Sequence, residues 1–182
     1  MDDPLVWVDL EMTGLDPVRH VILEIAVMVS DGTLEQVVEG PDLVIAASDD
    51  ELAAMDAFVA EMHATSGLLD VVRRSEVSMA EAEAQVLDFV RAHVPEPRVA
   101  PLAGNSIHAD RAFLARWMPA LHGWLHYRNV DVSTVKELAR RWYPDAYASA
   151  PEKAKGHRAL ADIHESIAEL RHYRATIFRN DR

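Results

Sequence analysis

Asp9 and Glu11 stand two residues apart at the end of an apolar run, Leu5-Val6-Trp7-Val8, whose β-branched and aromatic side chains mark a buried strand. Residues at i and i+2 of a strand project from one face, so the two carboxylates converge. Carboxylates at the edge of a core are costly unless a cation compensates them. An oxygen donor set without sulfur suits Mg²⁺ or Mn²⁺ rather than zinc. The pair alone is a weak signal, because 30 of 182 residues are acidic. Asp110, in Gly104-Asn105-Ser106-Ile107-His108-Ala109-Asp110-Arg111, opens a predicted helix, where a plain N-cap is the simpler reading. Asp162 follows His157 by five residues, in Gly156-His157-Arg158-Ala159-Leu160-Ala161-Asp162. That spacing turns them about 140° apart on a helix, so both serve one site only if His157 lies at the frayed start or on a loop.

Other chemistries are excluded by inspection. The seven glycines are never closer than eight residues, which leaves no Gly-rich phosphate cradle, and there is no G-x-S-x-G elbow. His122 and His126 are four apart, but Gly123 lies between them and no carboxylate is near, so a structural or surface role is the better reading. With no cysteine, thiolate metal sites and catalytic thiols are ruled out.

These residues must be positioned by a chain of ordinary globular composition, 49% hydrophobic and 26% charged, the size of a single domain. No apolar run approaches the roughly 18 residues of a membrane span, and the expectation is a soluble, cytoplasmic protein. Net charge is −12, unevenly placed: residues 1–91 hold 4 basic and 20 acidic side chains, whereas residues 92–182 hold 14 basic and 10 acidic. Phosphate contacts are expected mainly from the second half.

Extended segments are predicted at Leu5–Leu10, Val21–Val29, Leu34–Val38 and Leu43–Ile45, with Asp31-Gly32-Thr33 as a hairpin signal. Ser48-x-x-Glu51 and Ser78-x-x-Glu81 fit the capping box and start helices. A strand at Val99–Ala103, a helix over 110–118 stopped by Pro119, and a strand at Tyr127–Asp131 follow. The helix from Ser133 to Trp142 has Val135, Leu138, Ala139 and Trp142 on one face. Leu160, Ile163, Ile167, Leu170, Tyr173 and Ile177 mark a long terminal amphipathic helix. Antiparallel strands followed by alternating helices and strands imply a mixed α/β sheet covered by helices.

The ordered set Asp9-x-Glu11, Asp110, His157 and Asp162 resembles the DEDDh 3′–5′ exonucleases of the ribonuclease H-like fold. Longer strings resemble the branch of that family that degrades very short RNA: Trp7 to Leu15, Gly104 to Ile107, His126 to Thr134, and His157 to Leu160. The match runs from about residue 5 to residue 178 and implies a single exonuclease domain over residues 1–182 with a three-layer fold and a five-stranded mixed sheet. It further implies that Asp9, Glu11, Asp110 and Asp162 hold two divalent ions, Mg²⁺ or Mn²⁺, and that His157 is the general base. By the same resemblance Leu15 wedges between bases, Phe58 stacks on a base in place of a common Trp, and His63 lies near the substrate. Ser106, Arg128 and Ser133 match residues that cap a 5′-phosphate, with Tyr127 supplied across a homodimer interface. Trp117, Trp124 and Leu125, with Tyr127, are apolar material for that interface. Alternatives are a DNA-proofreading or tRNA-trimming exonuclease, or a non-catalytic module that binds nucleic-acid ends. Leu15 and Phe58 are equally readable as core, and Arg128 as a surface cation.

Overall fold

The computed structural model describes residues 1–152 and 156–178. Strands β1 (Leu5–Met12), β2 (Ile22–Ser30) and β3 (Val37–Val44) are antiparallel neighbours, and β4 (Pro101–Gly104) and β5 (His126–Asp131) extend the sheet in parallel on the other side of β1. The order is β3-β2-β1-β4-β5, the expected five-stranded mixed sheet. Leu34–Val38 and Leu43–Ile45, expected as two segments, instead merge into β3. A register shift opposite Ala26 and Met28 lets Gly40-Pro41 sit in this edge strand as a bulge.

Nine helices are described: α1 (Asp49–Ala53), α2 (Ala57–Thr65), α3 (Leu68–Val72), α4 (Met79–His93), α5 (His108–Trp117), α6 (Pro119–Trp124), α7 (Val132–Trp142), α8 (Pro144–Ala148) and α9 (Ala159–Thr176). Both capping boxes form, at the starts of α1 and α4. Pro119 ends α5 as expected, yet it also begins α6, because its fixed φ and missing N–H suit a first helical position.

Alternation along β1 divides the core. Val6, Val8 and Leu10 pack with Val86 and Val90 of α4 and with Phe113 and Leu114 of α5. Trp7 faces the other way, against Ala159, Ile163 and Ile167 of α9 and Val132 of α7. The sheet is thus the middle of three layers, and the odd-numbered face of β1 that bears Asp9 and Glu11 is the α9 face. A third cluster, including Val21, Leu23, Leu52, Leu68 and Val72, seats α1 and α3. The expected apolar face of α7 is only partly core: Ala139 is buried, whereas Val135, Leu138 and Trp142 line a shallow cleft with Ile177 and Phe178. Among the described residues no helix is long and apolar enough to cross a membrane.

Candidate active site

β4 is only four residues long and pairs with β1 only at Val6 and Trp7, so the end of β1 projects beyond its parallel neighbour. The Leu10 N–H that this leaves unpaired donates to Asp110 Oδ1 at 3.0 Å. Asp110 is therefore not the N-cap of α5; that position is Ile107, without a side-chain cap. The chain reaches α5 through a tight passage at Gly104, where a Cβ would lie 3.0 Å from the Val8 carbonyl oxygen and 2.8 Å from Ile107. Asp110 is thereby delivered, buried, to the end of β1, near enough for its charge to act on both Asp9 and Glu11.

α9 supplies the rest. It begins at Ala159, so Asp162 lies in its first turn and His157 precedes it, in the left-handed region at φ 49°. This places His157 before the helix, as the five-residue spacing demanded. Ligand atoms of Glu11, His157 and Asp162 all lie within 4.8 Å of one another, with Glu11 buried and His157 exposed. Among the described residues this is the group of acidic and histidine side chains close enough to hold a metal ion.

The carboxylates repel one another in a poorly solvated place. Burial, then the charges of Asp110, Asp162, Glu11 and Glu24, pushes the Asp9 carboxyl well above the usual range. Glu11 rises to about 8, chiefly through burial and then through Asp162, Glu24 and Asp110, with Arg158 opposing. Burial raises Asp110 to about 7, against the backbone N–H groups it accepts. Hard oxygen donors held at this electrostatic cost fit divalent cations, whose positive charge would offset it.

The other candidates divide. Leu15 is 80% exposed and Phe58 76% exposed, so neither is a core residue. Phe58 and His157 line the same cleft, with Met62, Thr65 and Gly156. His63, expected near the substrate, is fully buried and approaches Glu11. Its Nε2 donates to the Met12 carbonyl at 2.8 Å, and Nδ1, without a hydrogen-bond partner, stands 3.8 Å from Glu11 Oε2. Ser106 and Ser133 are brought together, hydroxyl to hydroxyl at 3.1 Å, with Ser133 donating to Asn105 Oδ1 at 2.9 Å. Arg128 lies over the ring of its neighbour Tyr127 and lines a different cleft with Leu5, His126, Val130 and Phe178. Tyr127 is 75% exposed, whereas Leu125 is core, and Trp117 and Trp124 pack on the core and donate to the His20 and Val94 carbonyls. Of the expected interface residues, Tyr127 is the most exposed, Trp117 and Trp124 are half-buried, and Leu125 is buried.

Sequence reading missed Glu24, fully buried in β2 directly opposite Glu11. A single acid inside the run Ile22-Leu23-Glu24-Ile25-Ala26-Val27-Met28-Val29 is the signal that could have found it. It missed Arg158 as well, the cation that binds Glu24.

The family model described as Exonuclease, RNase_T, matches residues 6–170. An oligoribonuclease of Nocardia farcinica is 58% identical over 97% of this chain and 82% of its own length. One from Rhodococcus jostii is 57% identical over 98% of this chain and 89% of its own. Among solved structures, an E. coli ExoI–ssDNA complex in its zinc-bound form superposes with a TM-score of 0.73 at 16% identity, over 98% of this chain. The chain spans 42% of that protein's length, and the likeness is one of fold.

Proposed function

The chain belongs to the oligoribonuclease family of exonucleases, and from that membership and the site's geometry we infer a metal-dependent 3′→5′ exoribonuclease that hydrolyses very short RNA to mononucleotides, 5′-phosphorylated dinucleotides above all. The observation that carries this reading is the convergence of Glu11, Asp162 and an exposed His157 beside Asp9 and Asp110. We assign the exonuclease domain to residues 1–182 and its place to the cytoplasm, as the family membership suggests.

Asp9, Glu11, Asp110 and Asp162 are the residues that would hold two divalent ions, Mg²⁺ or Mn²⁺. Bound there, such ions supply positive charge against the attacking and leaving oxygens of a phosphodiester. His157, exposed at the rim, takes the proton of the attacking water, a task suited to an imidazole at neutral pH. Leu15 and Phe58 offer exposed apolar surface to the bases. The paired Ser106 and Ser133 hydroxyls, with Arg128 and with Tyr127 from a second copy, close the site around a 5′-phosphate. A closed end after about two nucleotides favours the dinucleotide.

The test compares initial rates on 5′-phosphorylated RNA of two and of seven nucleotides, with Mg²⁺, with Mn²⁺ and with chelator. Metal-dependent cleavage favouring the dinucleotide is expected. Equal or faster cleavage of the longer RNA would retain the chemistry and remove the closed site.

A further inference from the structure

We propose that Glu24 and Arg158 form a positioning pair that fixes His157 over the carboxylates, an assignment resting on the reading of His157 as general base. Glu24 is fully buried on β2, the strand next to Glu11 and in register with it. One of its oxygens, Oε1, accepts from Arg158 Nε at 2.9 Å and from Arg158 Nη2 at 2.6 Å. The other, Oε2, accepts from the Ala159 backbone N–H at 3.1 Å. A single carboxylate thus grips both residues that follow His157.

This arrangement replaces a local cap. The N-cap of α9 is Arg158 itself, whose side chain makes no cap hydrogen bond, so the first N–H of the helix is satisfied from β2, 135 residues away in sequence. A helix whose start is fixed by a distant strand has its rotation and register set relative to that strand. Asp162 has independent support, because Ile163, Ile167 and Tyr173 pack the helix body into the core. His157 has none of this. It lies outside the helix, exposed, in a left-handed conformation that a non-glycine residue keeps only when its surroundings enforce it. The surroundings on its C-terminal side are the clamp. An isolated carboxylate buried at zero exposure would be strongly disfavoured, and Arg158, reaching in from a partly exposed position, makes it tolerable. The same guanidinium lies near Asp42 and Glu11 as well as Glu24, placing one fixed cation at the back of an acidic cluster. A merely stabilising role would be served equally by an apolar pair of similar volume; the acid and the fork are needed where the helix start must have one orientation.

The experiment measures kcat and KM on a 5′-phosphorylated RNA dinucleotide with Mg²⁺ for Arg158→Ala, Arg158→Lys, Glu24→Gln and His157→Ala, and for each of the first three combined with His157→Ala. Thermal midpoints establish the folded fraction. Misplacing a catalytic group by about 1 Å costs on the order of 10²-fold, so Arg158→Ala and Glu24→Gln are expected to lower kcat by about that factor with KM changed less than about threefold. Arg158→Lys, retaining a cation on the same tether, is expected to recover about tenfold over Arg158→Ala. In the His157→Ala background the same substitutions should cost less than about twofold more, because residues acting through one group are not additive. In the metal-free protein, the His157 imidazole NMR resonance should shift in Arg158→Ala while that of His93 stays. Normal kcat in a folded Arg158→Ala, full additivity with His157→Ala, or an unmoved His157 resonance overturns the pair. A fully active His157→Ala overturns the underlying reading as well, and is recognisable because it needs no change at Arg158.

Discussion

Asp110 meets two demands with one carboxyl group: it pairs the Leu10 N–H that the short β4 leaves open, and it faces Asp9 with a second negative charge. The two roles separate by substitution. Asp110→Asn keeps an acceptor for Leu10 and loses the charge, so turnover should vanish while the thermal midpoint stays or rises. Asp110→Ala should also abolish turnover, and stability should fall by about 1–3 kcal/mol because a buried N–H is orphaned. Activity in a folded Asp110→Asn would strip Asp110 of its assigned role. The convergence of Asp9 and Glu11 was legible because a strand puts alternate residues on one face, and the place of His157 ahead of α9 because five residues cannot share a helical face with Asp162; their roles came from the resemblance alone. Glu24 and Arg158 were not, since nothing local in either segment says that residues 24 and 158 meet. Arg128 is the residue whose place decides the 5′-end reading. Arg128→Ala should weaken binding of 5′-phosphorylated dinucleotides far more than of unphosphorylated ones, as measured by calorimetry; equal losses would remove the phosphate cap.

Elements carry what single residues cannot. The turn Thr13-Gly14-Leu15 leaves β1 and presents Leu15 to solvent, and its shape depends on His20 lying against Gly14. A Cβ on Gly14 would stand 2.6 Å from His20 Nε2. His20 cannot retreat freely, since its Nδ1 meets the Thr13 hydroxyl at 3.2 Å and its carbonyl accepts from Trp117 Nε1 at 3.0 Å. Gly14→Ala should therefore displace Leu15 and raise KM for dinucleotides about tenfold, within the roughly 1.5–3 kcal/mol that burying a leucine side chain contributes, with kcat little changed. An unchanged KM would show that Leu15 does not touch the bases. The strands and the long helices were legible from their periodicity and from capping boxes. The short helices α1 to α3 were not resolved as three: the five-residue α1 and α3 hold through the cluster around Leu23 and Leu68 rather than through a pattern of their own, and the nine-residue α2 buries only His63. The α7 stripe misled for the opposite reason: periodicity marks an apolar face without saying whether the core or a surface cleft receives it.

At the scale of the whole molecule the net charge of −12 sits awkwardly with an acidic substrate, and the protons and cations of the site are what reconcile them. Glu11 moves from 4.5 to about 8 and Asp110 from 3.8 to about 7 on folding, so between those values the metal-free folded chain holds more protons than the unfolded one. Stability from these groups is then fully present below about pH 4 and is lost as pH rises through 7 and 8. The exposed Glu137, lowered to about 2 by Arg140 and Arg141, has the opposite sign and acts in the acid range, outside this window. Metal-free protein should accordingly show a thermal midpoint that falls from pH 5 to pH 8.5. Mg²⁺ or Mn²⁺ should restore it by an increment that grows with pH, since the ions bind the ionised carboxylates that destabilise the metal-free state. Calorimetric titration of Mn²⁺ at pH 7 in two buffers of different ionisation enthalpy should detect net proton release. The Asp110→Asn variant should flatten part of the midpoint's pH slope and release fewer protons. A metal-free midpoint that climbs over the same range, or metal binding without proton release, would mean that the carboxylates are already ionised and that some other cation balances them.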